Sequence, residues 1–210
     1  MTDQQSTPRP LHIGDEAPNF TARTTMGPVK LADYRGRWLL FFSHPADFTP
    51  VCTSEFMALA RAAPRFEAMG CDLLALSVDS LYAHLAWVRA IQDGFNVTVR
   101  FPIIEDPSMV IGRGYAMINP DAPDAGTLRH SFFIDPAGII RASISYPASI
   151  GRSVDELLRV LAALQHFDAH GEVTPADWHP GEPALMPAQD TQDSMLSAPG
   201  LWFHREAKST

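Results

Sequence analysis

Cysteine is scarce in this chain: of 210 residues only Cys52 and Cys71 are cysteine. A disulfide-stapled secreted scaffold uses more, in pairs, so each sulfur has to be judged alone as a reactive or a packing residue. No apolar run is long enough to cross a bilayer. The polar, proline-bearing start from Met1 to Pro10 lacks the apolar stretch of a signal peptide, so the cytoplasm is the expected compartment. Basic charge is also short: the formal net charge is −8 with no basic cluster, which argues against a nucleic-acid backbone as partner. No internal repeat and no Gly-x-Ser-x-Gly element occurs, the latter being the mark of an elbow-type serine hydrolase. The eight histidines are scattered. His166 and His170 share i, i+4 spacing but have neither a third ligand nor a cysteine cluster beside them. No metal and no cofactor is expected.

What is present is apolar content of 46%, enough for one main core with a tail. Asn19 to Lys30 reads as a β element broken by the turn Met26-Gly27-Pro28. Trp38 to Ser43 is a continuous apolar run, the pattern of a central strand buried on both faces. A helix from Val51 to Ala68 should be kinked or split by Pro64. Cys71 to Val78 is the next buried strand. Leu81 to Asp93 carries Leu81, Leu85, Val88 and Ile91 at helical spacing, with Gly94 as the stop signal. Phe101 to Ile104 reads as a short strand, Ser108 to Tyr115 as a short helix and Pro120 to Gly126 as a loop. Ser131 to Ile134 and Ile139 to Tyr146 flank Asp135-Pro-Ala-Gly138 as a hairpin. Ser153 to Phe167 is an amphipathic helix with Ser153 as cap and Glu156 three residues on.

This order describes an α/β domain with a mixed central sheet, and it fits a thioredoxin-like fold. The expected organisation is a domain over 1–170 and an extended C-terminal arm over 171–210. The arm has five prolines and the aromatics Trp178, Trp202 and Phe203, which exposed would mark a docking surface between arm and body or between subunits.

The chemistry concentrates in Ser43-His-Pro-Ala-Asp-Phe-Thr-Pro-Val-Cys-Thr-Ser-Glu55. Cys52 falls at a strand-to-helix junction past the carboxyl end of a central strand, where open α/β sheets place their sites and a thiolate is stabilised. Ionisation alone does not make a fast nucleophilic thiol. A free thiol of pKa ~8.5 is about 3% ionised at neutral pH, so full ionisation gains only about thirty-fold. The rest must come from holding the reactant in line with sulfur and stabilising charge on the departing group. Thr49, whose hydroxyl both donates and accepts, and a guanidinium suit these tasks. Arg129, at the start of a strand expected beside the Cys52 loop, is the candidate guanidinium. Pro45 would close the pocket against water. His44 could orient the loop or a substrate, or be a satisfied structural histidine. Glu55 suits the first helical turn without any further role. Cys71, beside Leu73, Leu74 and Leu76, reads as an inert core residue.

Pro45, Thr49 and Cys52 resemble the Pro-x-x-x-Thr-x-x-Cys pattern of the peroxiredoxins, and Arg129 is similar to that family's arginine ahead of Phe-Ile-Asp. The likeness continues through Leu76-Ser-Val-Asp-Ser80, Phe101-Pro-Ile-Ile-Glu-Asp106, Gly151-Arg-Ser-Val-Asp-Glu156 and Pro175-Ala-Asp-Trp178, and so covers nearly the whole chain. His44 to Cys52 and the long arm resemble the one-cysteine subfamily and its archaeal-type relatives. The resemblance implies a thiol-dependent peroxidase for hydrogen peroxide and small organic hydroperoxides, recycled from a sulfenic acid by a second thiol, in antioxidant defence. It further implies that Glu55 and Arg152 join a network around Arg129, and that the protein forms a homodimer or a ring of dimers. Archaeal-type relatives carry cysteines in the arm, whereas Pro199 to Arg205 has none, so the resolving thiol is Cys71 or an external reductant of thioredoxin, glutaredoxin or glutathione type. A peroxide sensor or holdase-type protein is the alternative of another class. A Cys-x-x-Cys dithiol oxidoreductase is disfavoured by Thr49, which stands where the other sulfur would be.

Overall fold

In the computed structural model residues 11–118, 126–198 and 200–207 are described. By contacts the chain divides into two compact units, Met1–Val154 and Asp155–Thr210, so residue 170, the expected domain boundary, lies inside the second. The first unit holds strands β1 (Thr21–Thr24), β2 (Gly27–Lys30), β3 (Trp38–Ser43), β4 (Cys71–Ser77), β5 (Ile103–Glu105), β6 (Arg129–Ile134) and β7 (Ile140–Tyr146). Its helices are α1 (Pro50–Ala68), α2 (Leu81–Phe95) and α3 (Val110–Gly114). The strands form one seven-stranded sheet in the order β2-β1-β5-β4-β3-β6-β7. β3, β4 and β5 are mutually parallel, while β6 runs antiparallel to β3 and β7 to β6. This is the mixed α/β sheet expected of a thioredoxin-like fold.

Every residue of β3 is buried, which accounts for its unbroken apolar run. Residues alternate between the two faces of a strand, so β3 serves two cores. Leu39 and Phe41 join Leu74, Leu76, Ile104, Tyr115 and Phe132 on one side. Phe42 meets Phe56 of α1 at 5.9 Å and Phe101 at 5.8 Å on the other. Phe56 also lies 4.5 Å from Trp87 of α2, so the two helices share this second core. Truncating a buried aromatic of this kind costs about 3–5 kcal/mol.

The β6–β7 turn forms as its residues demand. Asp135 Oδ1 accepts from the N–H groups of Ala137 and Ile139, both at 2.9 Å, and Gly138 takes a φ of +79° that a side chain would resist. Three sequence expectations give way. Pro64 does not split α1, which runs unbroken from Pro50 to Ala68. Pro64 is exposed between buried Ala62 and Phe66, so water can serve the carbonyl its missing N–H leaves free. Gly94 does not stop α2. The helix ends at Asn96, which adopts a left-handed φ of 53° and donates its N–H to the Gln92 carbonyl at 3.0 Å. Of the expected set Leu81, Leu85, Val88 and Ile91 only Ile91 is fully buried: Leu81 and Val88 are half-buried, Leu85 is 44% exposed, and His84 and Trp87 complete the buried face. Burying the large indole, and hydrogen-bonding His84, outweighs covering one leucine.

The loop expected over Pro120 to Gly126 lies, except for Gly126, outside the described residues. In the second unit α4 spans Val154–His170, and a short helix α5 (Gln192–Ser197) interrupts an arm expected to be extended. Thr191 caps α5, its Oγ1 accepting from the Ser194 N–H at 3.2 Å. Trp178 makes the contact expected between arm and body: it is 3% exposed, lies 4.9 Å from the His166 ring and donates its indole N–H to the Glu182 carbonyl at 3.0 Å. Phe203 is exposed as expected, and the half-buried Trp202 meets it edge-on at 5.6 Å. His166 Nε2 is 2.9 Å from Glu172 Oε2, a hydrogen-bond partner for its ring. Among the described residues no helix is long and apolar enough to cross a membrane.

Candidate active site

β3 delivers the chain into the loop from His44 to Thr49, and Thr49 is the N-cap of α1 with Pro50 at the first helical position. Cys52 is therefore in the first turn, among N–H groups with no partner inside the helix, where negative charge is favoured. Phe48 turns the loop with a left-handed φ of 58°, a conformation that costs a non-glycine residue roughly 1–2 kcal/mol, and its ring is 59% exposed. The Thr49 hydroxyl does not cap the helix. It donates to the Ala46 carbonyl at 2.9 Å, which tightens the loop and leaves its oxygen lone pairs free to accept. Thr53 returns its own hydroxyl to the Thr49 carbonyl at 2.8 Å. Pro45 and Ala46 are half-buried.

Arg129 reaches this turn from β6. Its Nη1 donates to Cys52 Sγ at 3.3 Å and to Glu55 Oε2 at 2.7 Å. Its Nε and Nη2 both donate to the Ala148 carbonyl, at 3.1 and 2.7 Å. Arg152 completes the frame: its backbone N–H and Nε donate to Glu55 Oε1 at 2.8 and 2.9 Å, and Nη2 to Oε2 at 2.9 Å. The Arg152 guanidinium also lies 5.0 Å from the centre of the Phe42 ring. Burial works against the Glu55 charge, yet the hydrogen bonds and charge of Arg152, with Arg129 behind, hold its carboxyl below the usual range. Two cations and one anion therefore leave net positive charge beside the sulfur. Cys52 itself has 0% exposure, so a small molecule must open the loop slightly to reach it.

The structure brings Cys52, Arg129, Glu55 and Arg152 together, with Thr49 on the same helical turn. His44 is buried with Nε2 2.9 Å from Asp47 Oδ1. Asp47 and His84 were not singled out from sequence, nor was the Ala148 carbonyl. His84 and Trp87 carried one signal, the i, i+3 spacing of two large polar-tipped rings in α2. His44, Asp47 and His84 form the one group among the described residues able to offer three metal-type ligands, and their atoms are already bonded to one another. Cys71 lies elsewhere. Burial pushes its thiol up to about 12, and it pairs in register with Trp38 at the start of β3.

A thioredoxin-like sheet with a buried arginine on a helix-start cysteine defines a thiol-based peroxidase. Residues 13–143 match the AhpC/TSA family and residues 163–196 the C-terminal domain of 1-Cys peroxiredoxin. The chain belongs to the peroxiredoxins, and it is an enzyme of that family, a thiol-dependent peroxidase with a peroxide substrate and a thiol reductant. It is 46% identical over 188 residues to peroxiredoxin 2 of Thermoplasma acidophilum, covering 90% of this chain and 94% of that one. To the peroxiredoxin of Aquifex aeolicus it is 47% identical over 197 residues, covering 93% and 88%. Among solved structures, the yeast mitochondrial 1-Cys peroxiredoxin superposes with a TM-score of 0.80 at 39% identity, covering 84% of this chain and 87% of that one.

Proposed function

We propose that Cys52 is the peroxidatic residue and that it reduces hydrogen peroxide and small organic hydroperoxides. The Cys52 thiolate attacks the distal peroxide oxygen, the O–O bond breaks, and sulfur becomes a sulfenic acid. The departing oxygen takes a proton and leaves as water or an alcohol. The observation carrying this reading is the Arg129 guanidinium 3.3 Å from the sulfur, fixed by Glu55. A positive group held there favours the thiolate before reaction and the departing oxyanion during it, without reorganising. Thr49 accepts a hydrogen bond from the peroxide, its own hydrogen being given to the Ala46 carbonyl, and Pro45 shields the sulfur from water. Glu55 and Arg152 hold Arg129 in place.

An external thiol returns the sulfenic acid to the thiol: one equivalent forms a mixed disulfide and releases water, and a second thiol displaces Cys52. Sheet register supports an external source. Cys71 sits beside the start of β3 and Cys52 lies beyond its end. Five steps along the strand span about 17 Å, whereas bridged cysteines need Cα atoms within about 7 Å. The yeast relative is described as resolved through glutathione and thioredoxin systems, which makes those classes of thiol the reductants to try. Two unbridged cysteines fit a reducing compartment such as the cytoplasm, which cell fractionation would test. β7 is the outermost strand of the sheet, bonded on its far side at Ile140 to Gly14 and Asp15, and a homodimer or a ring of dimers would cover the rest of that edge. A strictly monomeric species at micromolar concentration in sedimentation would count against that assembly.

The test is peroxide consumption with excess dithiothreitol, paired with mass spectrometry of the oxidised protein. Wild type and Cys71→Ser should turn over many equivalents and gain one oxygen on Cys52 with no Cys52–Cys71 link. Cys52→Ser should be inert, and if it still consumed peroxide the assignment would fail. A single turnover that no thiol can reset would instead mark a peroxide sensor.

A further inference from the structure

Two histidines share one carboxylate behind the Cys52 loop. Asp47 Oδ1 is 2.9 Å from His44 Nε2, and Oδ2 is 2.7 Å from His84 Nδ1. His84 Nε2 is 3.2 Å from the Ile104 carbonyl, which can only accept, so that nitrogen carries a hydrogen. Both histidine side chains have 0% exposure and Asp47 has 2%. Burial favours an uncharged His44. Burial also opposes charge on Asp47, but the hydrogen bonds from His44 and His84 overcome it and hold the carboxyl below its usual range. An ionised Asp47 accepts at both oxygens. The single ring hydrogen of neutral His44 is then on Nε2, and its Nδ1, which has no partner among the described residues, is bare.

The pair is tied to the site by contacts on both sides. The His44 ring lies 4.7 Å from Phe56, one helical turn after Cys52 on the same face of α1. It also stacks on Trp87 at 5.3 Å. The Trp87 indole N–H donates to Thr53 Oγ1 at 3.2 Å, and Thr53 in turn holds the Thr49 carbonyl. The Asp47 backbone N–H donates to Asp79 Oδ2 at 3.0 Å, and the same oxygen accepts from Ser77 Oγ at 2.7 Å. One face of α2, bearing His84 and Trp87, thus braces both ends of the segment from His44 to Thr53.

We propose that His84 is a positioning residue for peroxide reduction: acting through Asp47, it fixes the tautomer of His44 and the seat of the loop carrying Pro45 and Thr49. This rests on the reading of Cys52 as peroxidatic. An asparagine amide at residue 84 mimics the Nδ1 donor toward Asp47, whereas a glutamine amide mimics the Nε2 donor toward Ile104 and leaves Asp47 without its partner.

The experiment combines ring-nitrogen NMR of the reduced wild-type protein with stopped-flow oxidation by hydrogen peroxide. Wild-type His44 should carry its hydrogen on Nε2 alone, and His84 should carry one on the Nε2 that faces the Ile104 carbonyl. His84→Gln should slow Cys52 oxidation by about tenfold or more and give mixed His44 tautomers, while His84→Asn should stay within about threefold of wild type. The proposal is overturned if wild-type His44 is protonated at Nδ1, if the two variants are slowed equally, or if neither is slowed. Should both variants fail to fold, the wild-type spectrum decides. Peroxide turnover by Cys52→Ser would refute the peroxidatic assignment, a result separable from all of these.

Discussion

Glu55 and Arg152, 97 residues apart in sequence, form a two-point ion pair, with Nε on Oε1 and Nη2 on Oε2, each at 2.9 Å. Both side chains are buried and Arg129 shares the same carboxylate. Removing the shared anion leaves two guanidiniums unpaired in the core. Glu55→Ala should therefore lose about 3–5 kcal/mol of stability in urea unfolding. A loss below about 1 kcal/mol would show that the arginines re-pair elsewhere. The folded carboxyl titrates below its ordinary value, so its contribution is complete above the unfolded pKa near ~4.3 and lost as pH falls through the folded one.

Arg129 divides its donors among Cys52, Glu55 and the Ala148 carbonyl. A lysine keeps the charge, but its three donors sit on one nitrogen and cannot reach acceptors that Arg129 meets with Nε, Nη1 and Nη2. Arg129→Lys should reduce the second-order rate constant for peroxide by about 10²-fold in stopped-flow measurements. A rate within threefold of wild type would remove the arginine from the mechanism.

Thr49 separates hydroxyl chemistry from loop shape. Thr49→Val keeps the β-branched form but loses the donor to Ala46 and any bond to peroxide, and should slow oxidation by about 10²-fold. Thr49→Ser restores the hydroxyl and should recover most of the rate. Equal impairment of both variants would assign the residue to backbone shape alone.

His130 on β6 stacks against Phe132 at 4.2 Å, and neither ring nitrogen has a hydrogen-bond partner among the described residues. Burial, with Arg152 nearby, pushes its pKa down to about 4. The unfolded chain binds this proton at a higher pH than the folded one. His130 therefore weakens the fold as pH falls from about 6.5 to about 4, by at most roughly 3 kcal/mol. His130→Phe should flatten the stability profile over that window by about one proton's worth. An unchanged slope would reject the shift.

Much of the fold follows from local sequence. The all-apolar β3 run, the Asp135-to-Gly138 turn and the Thr49-Pro50 helix start each carry their own geometry, and the expected elements there differ from the observed ones by a residue or two. Pro64, Gly94 and the face of α2 were misjudged because propensity and periodicity are weak beside packing. An exposed proline can be served by water, a left-handed Asn96 can end a helix, and one buried indole can outweigh a leucine.

The sequence by itself determined that Cys52 begins a helix after a buried strand, with Thr49 and Pro45 ahead of it, because these relations span only a few residues of chain. Arg129 was a candidate from its place at the start of a strand expected beside the Cys52 loop, while Arg152 was carried by resemblance alone, since no local rule joins residues 77 and 97 positions from their partners. Only the tertiary structure decided that Glu55 binds both arginines, that Asp47 is shared by His44 and His84, and that Cys71 faces the wrong end of the sheet. The reason is physical: buried charges and polar groups find partners wherever sheet order brings them, and that order is set by the packing of the whole chain.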